Sequence, residues 1–198
     1  MFRRILVANR GEIAARIIRS CQILGIETIA VYSEPDSNLD YLKQANKIIC
    51  IGEASATKSY LNQDILLRIA REQDCEAIHP GYGFLSENAI FSTRCEQQKL
   101  TFIGPKPEQI RMMGDKVMAI ETMRKANVPC VPGSNSTLGD DPEENIRIAR
   151  EIGFPVIIKA AGGGGGRGMR VVHTEATLLD SISLTKTEAG AAFNLLPA

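Results

Sequence analysis

Val156-Ile-Ile-Lys159-Ala160-Ala161, Gly162 to Gly166, then Arg167-Gly168-Met169-Arg170-Val-Val-His173 is the stretch on which the reading of this chain turns. Five consecutive glycines stand between two apolar, β-branched runs, each of strand length. The pattern predicts strand, glycine loop, strand. A glycine backbone has no Cβ in the way, so its N–H groups can converge on one anion. Lys159 falls inside the first strand, on the face opposite Ile158 and Ala160. A lysine there needs an anionic partner, and phosphate suits it. A flexible linker would carry serine and would not be bracketed by strands. A Walker loop needs Gly-Lys-Ser/Thr opening a helix. A dinucleotide fingerprint needs a helix after the glycines, and here a strand follows. A glycine hairpin over the phosphates of a nucleotide remains.

Working outward, the 198 residues allow one large domain or two small ones. Apolar residues make up 44%, enough for a core, and 23 basic residues balance 23 acidic ones. No bulk field favours nucleic acid or an anionic membrane. Cysteines 21, 50, 75, 95 and 130 show no metal-binding spacing and suit reduced thiols of a cytosolic protein. No apolar run is long enough to span a bilayer.

Upstream of the hairpin, Ile5 to Ala8 reads as a buried strand and Glu27 to Tyr32 as the next. The helix between them has Ile13, Ala14, Ile17, Ile18, Cys21 and Leu24 on one face. Asn9 is expected to cap this helix, with Glu12 bonding back, and Gly25 to end it. A short helix over Leu39 to Ala45, a strand over Lys47 to Ile51, a helix over Asn62 to Glu72 and a strand at Ala77 to His79 complete a parallel α/β layer. In such layers ligands sit at the carboxyl ends of the strands. His79-Pro80-Gly81-Tyr82-Gly83-Phe84-Leu85-Ser86-Glu87-Asn88 occupies one such end. Tyr82 and Phe84 there must pack or stack on a ligand, whereas His79 by itself reads as structural.

A helix over Asn88 to Gln98, a strand at Thr101 to Ile103 and a helix from Pro107 follow. Gly114-Asp115-Lys116 starts another helix. A lysine at this end opposes the macrodipole, which makes sense if an anion approaches the same free N–H groups. Asn127 to Gly139 reads as an interdomain linker. Asp141-Pro142-Glu143-Glu144 opens a helix. Thr174 is expected to cap the last helix, through Ala192, and His173 reads as structural or exposed.

Asn9-Arg10-Gly11-Glu12-Ile13-Ala14, His79 to Asn88, Met113-Gly114-Asp115-Lys116, and Ile158-Lys159-Ala160 with Gly162 to Met169 closely resemble biotin carboxylase of the ATP-grasp superfamily. The resemblance is colinear over nearly all of residues 1–192. It implies an α/β fold, with a Rossmann-like parallel-sheet domain over 1–114, a connecting helix over 115–130 and an incomplete α+β ATP-grasp lid over 131–198. It implies ATP binding by Lys116, Lys159, Gly162, Gly163, Gly164, Gly165, Gly166 and Met169, and a biotin side at Tyr82 and Gly83. The family reaction uses ATP and Mg2+ to activate bicarbonate as carboxyphosphate, and then carboxylates biotin on biotin carboxyl carrier protein. In acetyl-CoA carboxylase this is the first step toward malonyl-CoA and fatty acid synthesis.

The resemblance also implies carboxyltransferase partners, a homodimer at full length, and the cytoplasm or plastid stroma as location, with no nucleic acid or membrane partner. Family members are more than twice as long. The remaining part carries the metal-binding carboxylates, the bicarbonate-binding arginine, the general base and the adenine hinge. The chain is therefore expected to be a piece without catalytic residues of its own and inactive alone. Another ATP-grasp ligase, such as a carbamoyl-phosphate enzyme, is the alternative that residues 79–88 argue against. A non-catalytic nucleotide-binding or dimerisation module is a third reading.

Overall fold

The computed structural model describes residues 1–134, 137–159 and 168–193, with the side chains of 116 and 189–193 left out. The chain divides into two compact units, Met1–Gly114 and Asp115–Ala198.

In the first unit, strands β1 (Arg4–Val7), β2 (Glu27–Tyr32), β3 (Lys47–Cys50), β4 (Ala77–His79) and β5 (Thr101–Phe102) form one sheet in the order β3-β2-β1-β4-β5. Every pairing is parallel. Period-2 alternation splits β1 between the two faces. Leu6 and Ala8 join a core with α2 (Gln63–Glu72), α3 (Ala89–Gln97) and α4 (Pro107–Gly114). Ile5 and Val7 join another with α1 (Gly11–Ile23) and Tyr41 and Leu42 of a 3-10 turn, Asp40–Gln44. The short helix expected over Leu39 to Ala45 is this single 3-10 stretch. Burial on both faces explains why β1 and β2 read as continuous apolar runs.

Local signals place the helix ends. Gly25 takes a left-handed φ of +68°. Its N–H donates to Gln22 and that of Ile26 to Cys21, the paired bonds of a Schellman stop. Asn62 and Asn88 cap α2 and α3 by accepting from Ile65 and Phe91 at 3.2 and 2.8 Å.

The second unit has α5 (Lys116–Lys125), α6 (Pro142–Ile152), an antiparallel pair β6 (Val156–Lys159) and β7 (Met169–Val172), and α7 (Leu178–Phe193). The expected hairpin strands are therefore present, and the proline start of α6 is capped by Asp141, which accepts from Glu143 at 3.0 Å. Ala149, Val156, Ile158, Val172, Leu178 and Ile182 form its core, so the two helices cover one face of the pair. Thr174 makes no side-chain cap. It precedes a 3-10 turn, Glu175–Thr177, and α7 begins only after it.

Candidate functional site

The strand order reverses between β1 and β4, which lie side by side, with β1 leading toward β2 and β4 toward β5 on the far side. Open α/β sheets bind ligands in the crevice at the carboxyl ends of such strands. Here that crevice is a groove of about 480 Å3, lined chiefly by Asn9 to Ile13 after β1 and by Tyr82, Gly83 and Phe84 after β4.

Asn9 does not cap α1. The cap position belongs to Arg10, which makes no side-chain cap bond. Asn9 is wholly buried. Its amide nitrogen donates to the carbonyls of Pro80 (2.7 Å) and Tyr82 (2.9 Å), and its oxygen accepts from the Arg10 N–H at 2.9 Å. The expected capping box fails because two carbonyls of the loop after β4, that of Pro80 buried and that of Tyr82 part-buried, compete for the same side chain, and an unmet buried acceptor costs more than an uncapped exposed helix end. Glu12 likewise faces outward, with the Tyr82 hydroxyl at 3.5 Å from its Oε2.

The loop after β4 follows a path few residues tolerate. Gly81 has φ +67°, and a Cβ there would lie 2.5 Å from Cγ2 of Ile13. Gly83 has φ +69° and Phe84 φ +39°. For a non-glycine residue the left-handed region costs on the order of 1–2 kcal/mol. Phe84 stacks on Tyr60, with centroids 4.9 Å apart and planes 13° from parallel. Of the two aromatics, Phe84 therefore packs while Tyr82 stands 63% exposed at the groove. His79 has a structural partner: its Nδ1 accepts from the Gly81 N–H at 3.1 Å, and burial pushes its pKa down.

A polar cluster flanks the loop. Asp36, 7% exposed, accepts from the Ser33 hydroxyl (2.7 Å), the Tyr60 hydroxyl (2.6 Å) and Arg10 (3.2 Å). Burial pushes the Asp36 carboxyl up, but the hydrogen bonds from Tyr60 and Ser33 and the charge of Arg10 outweigh it and hold the pKa below its usual value. No local pattern announced this cluster; its members are separated by 24 and 26 positions in the chain.

In the second unit, Lys159 and Met169 are direct cross-strand partners, as are Ile157 and Val171. All four side chains are exposed or nearly so, on the face turned away from α6 and α7. One ammonium thus shares a platform with three apolar side chains. Lys116 is the first residue of α5. Asp115 caps that helix and its Oδ1 accepts from the amides of Val117 (2.9 Å) and Met118 (3.0 Å). The expectation that free amides at this end await an anion is corrected: a carboxylate already uses two of them and answers the helix dipole. Gly162 to Gly166 lie outside the described residues, and His173 is exposed. Among the described residues, no group of three or more His, Cys, Asp or Glu side chains could hold a metal ion. Among them too, no helix is long and apolar enough to cross a membrane. Of the five cysteines, all unpaired, Cys21, Cys75 and Cys95 are buried, whereas Cys50 is exposed and Cys130 intermediate.

Comparison with known proteins bears on both units. Residues 1–110 match the family "Biotin carboxylase, N-terminal domain", and residues 115–196 match "Carbamoyl-phosphate synthase L chain, ATP binding domain". A biotin carboxylase of Allochromatium vinosum is 57% identical over 194 residues, 98% of this chain and 43% of that protein. A chloroplastic biotin carboxylase of Arabidopsis thaliana is 50% identical over 190 residues, 96% of this chain and 35% of that one. Among solved structures, the biotin carboxylase domain dimer of Hydrogenobacter thermophilus 2-oxoglutarate carboxylase, in complex with MgADP, ADP and bicarbonate, superposes with a TM-score of 0.89 at 48% identity. That match covers 98% of this chain and 42% of the other. The chain thus spans less than half the length of these relatives. The ATP-binding match alone would leave a carbamoyl-phosphate type enzyme open; the match over the first 110 residues, where the groove and its strained loop lie, decides the matter. The chain belongs to the biotin carboxylase family.

Proposed function

We propose that this chain supplies the N-terminal domain (1–114), connecting helix (115–130) and part of the ATP-grasp lid (131–198) of a biotin carboxylase. That enzyme performs the ATP-dependent carboxylation of biotin, carried on biotin carboxyl carrier protein, with bicarbonate. Acetyl-CoA carboxylase, with its carboxyltransferase subunits, is the complex it would serve, toward malonyl-CoA and fatty acids. The Arabidopsis relative's name and the bacterial one support the plastid stroma or the cytoplasm as location. The dimer of the Hydrogenobacter domain supports a homodimer at full length, and its MgADP and bicarbonate support ATP, Mg2+ and bicarbonate as ligands of the whole enzyme.

The observation that carries the reading within this chain is the exposed platform of Lys159, Met169, Ile157 and Val171. A nucleotide needs apolar surface for its base and positive charge for its phosphates, and the platform offers both. Lys159 and the glycines 162–166 then neutralise and cradle the phosphates, while Lys116 adds a second cation. Stabilising charge on the transferring phosphoryl group is the main catalytic term in such chemistry. Tyr82 and Gly83, held out at the groove, form the biotin side. The chain spans less than half of its relatives, and the metal ligands are taken to lie in the rest of the enzyme, so that the 198 residues by themselves bind nucleotide without turning it over.

The test is ATP titration and turnover in a chain of the relatives' full length. Lys159→Ala weakens ATP binding roughly tenfold, the effect of removing one charge-assisted hydrogen bond, whereas His173→Ala leaves it unchanged. Equal weakening by both substitutions overturns the assignment.

A further inference from the structure

The left-handed turn at residues 81–84 holds Phe84 at φ +39°, an uncommon conformation for a bulky residue. Side chains from outside the loop support it. The Phe84 ring lies flat on Tyr60. Tyr60 cannot turn away, because its hydroxyl donates to Asp36 at 2.6 Å and accepts from the Ser33 N–H at 2.9 Å. Arg10 closes the arrangement. Its guanidinium carbon lies 5.8 Å from the Tyr60 centroid and 5.9 Å from that of Phe84, within cation–π range of both rings. Its Nη1 is tied to the other oxygen of the same Asp36 carboxylate.

We propose that Arg10 is a positioning residue: anchored on buried Asp36, its guanidinium holds the Tyr60–Phe84 ring pair and so fixes the turn that presents Tyr82 and Gly83 to the groove. The arrangement links the end of β1 to the loop after β4 by a second route, independent of the Asn9 amide. What the clamp serves rests on the biotin-side reading of Tyr82 and Gly83; that it clamps does not.

The turn contains reporters of its own. The Ser86 amide donates to Gly83 at 2.9 Å and the Asn88 amide to Leu85 at 3.1 Å. Hydrogen exchange on the 198-residue chain, free of any ligand, reads them directly. In Arg10→Ala these two amides exchange about tenfold faster, the effect expected from removing one cation–π interaction together with its ion pair. The amides of β1 and α2 keep their protection. Arg10→Lys, which retains a cation able to reach Asp36, restores most of the slow exchange. Unchanged exchange at Ser86 and Asn88, an equal rise throughout the first unit, or failure of lysine to restore protection each overturns the proposal. Since no ligand is present, failure of the clamp and failure of the biotin-side reading are seen separately.

Discussion

Asn9 shows how one buried side chain can decide the form of a site. It satisfies two carbonyls of a loop more than seventy positions away, and one of them, that of Pro80, belongs to a buried residue. Asn9→Ala leaves both without their donor and opens a small void. A destabilisation of about 3 kcal/mol is expected, read as a lower urea midpoint with unchanged slope. Asn9→Asp keeps the shape but replaces the donating amide with a carboxylate that repels both carbonyls, and should do no better. Asp36 makes a different prediction. Its folded pKa lies below the unfolded value of about 3.9, so its stabilising contribution is complete above that pH and is lost as pH falls through the lower folded value. Asp36→Asn should therefore lower stability at neutral pH and flatten the loss of stability below about pH 4, measured by thermal unfolding across the acid range.

At the scale of elements, the two sheets differ in how they are protected. β1 lies between two pairing neighbours and is covered on both faces. β6 and β7 pair only with each other among the described residues, and their outer face leaves Ile157, Met169 and Val171 at 50% exposure or more. A two-stranded pair needs packing to persist, and here it has packing on one side only. The Arg150–Glu175 hydrogen bonds, both 2.6 Å, tie α6 to the turn before α7, but they are exposed and add little. Amides of β6 and β7 should exchange at least about a hundredfold faster than those of β1. A protein of residues 1–114 alone should keep its parallel sheet, since both of its cores draw only on residues before Gly114. Equal protection of hairpin and β1, or disappearance of the circular dichroism signal in the shortened protein, would contradict this.

At the scale of the whole molecule, balanced charge leaves no long-range field to attract polyanions, so recognition rests on the local groups: one ammonium on an apolar platform in the second unit, and a groove beside a strained loop in the first. The chain covers less than half the length of its relatives, and on the proposed reading the metal ligands of phosphoryl transfer lie in the remainder. The 198 residues alone are accordingly expected to release no phosphate in response to biotin and bicarbonate. Steady-state release above background with all three substrates present would disprove it.

The kinds and order of the elements were legible in the residues themselves. Apolar periodicity marked the strands and helices, Gly25 and the Asp141-Pro142 pair marked helix ends, and the run from Val156 to His173 announced its hairpin. These signals are local, carried within a turn or a strand of the residue concerned. The motifs that tie the chain to its family were equally readable as strings. What only the tertiary structure decided is which of several polar partners each side chain takes. Asn9 was the expected helix cap by sequence, yet the folded sheet sets the carbonyls of Pro80 and Tyr82 beside it and the cap is forgone. Arg10, Asp36, Tyr60 and Phe84 become neighbours only because β1, β2 and β4 lie side by side. A short polar side chain has several acceptors within reach of its sequence position, all of similar strength; burial, which penalises whichever one is left unmet, makes the choice.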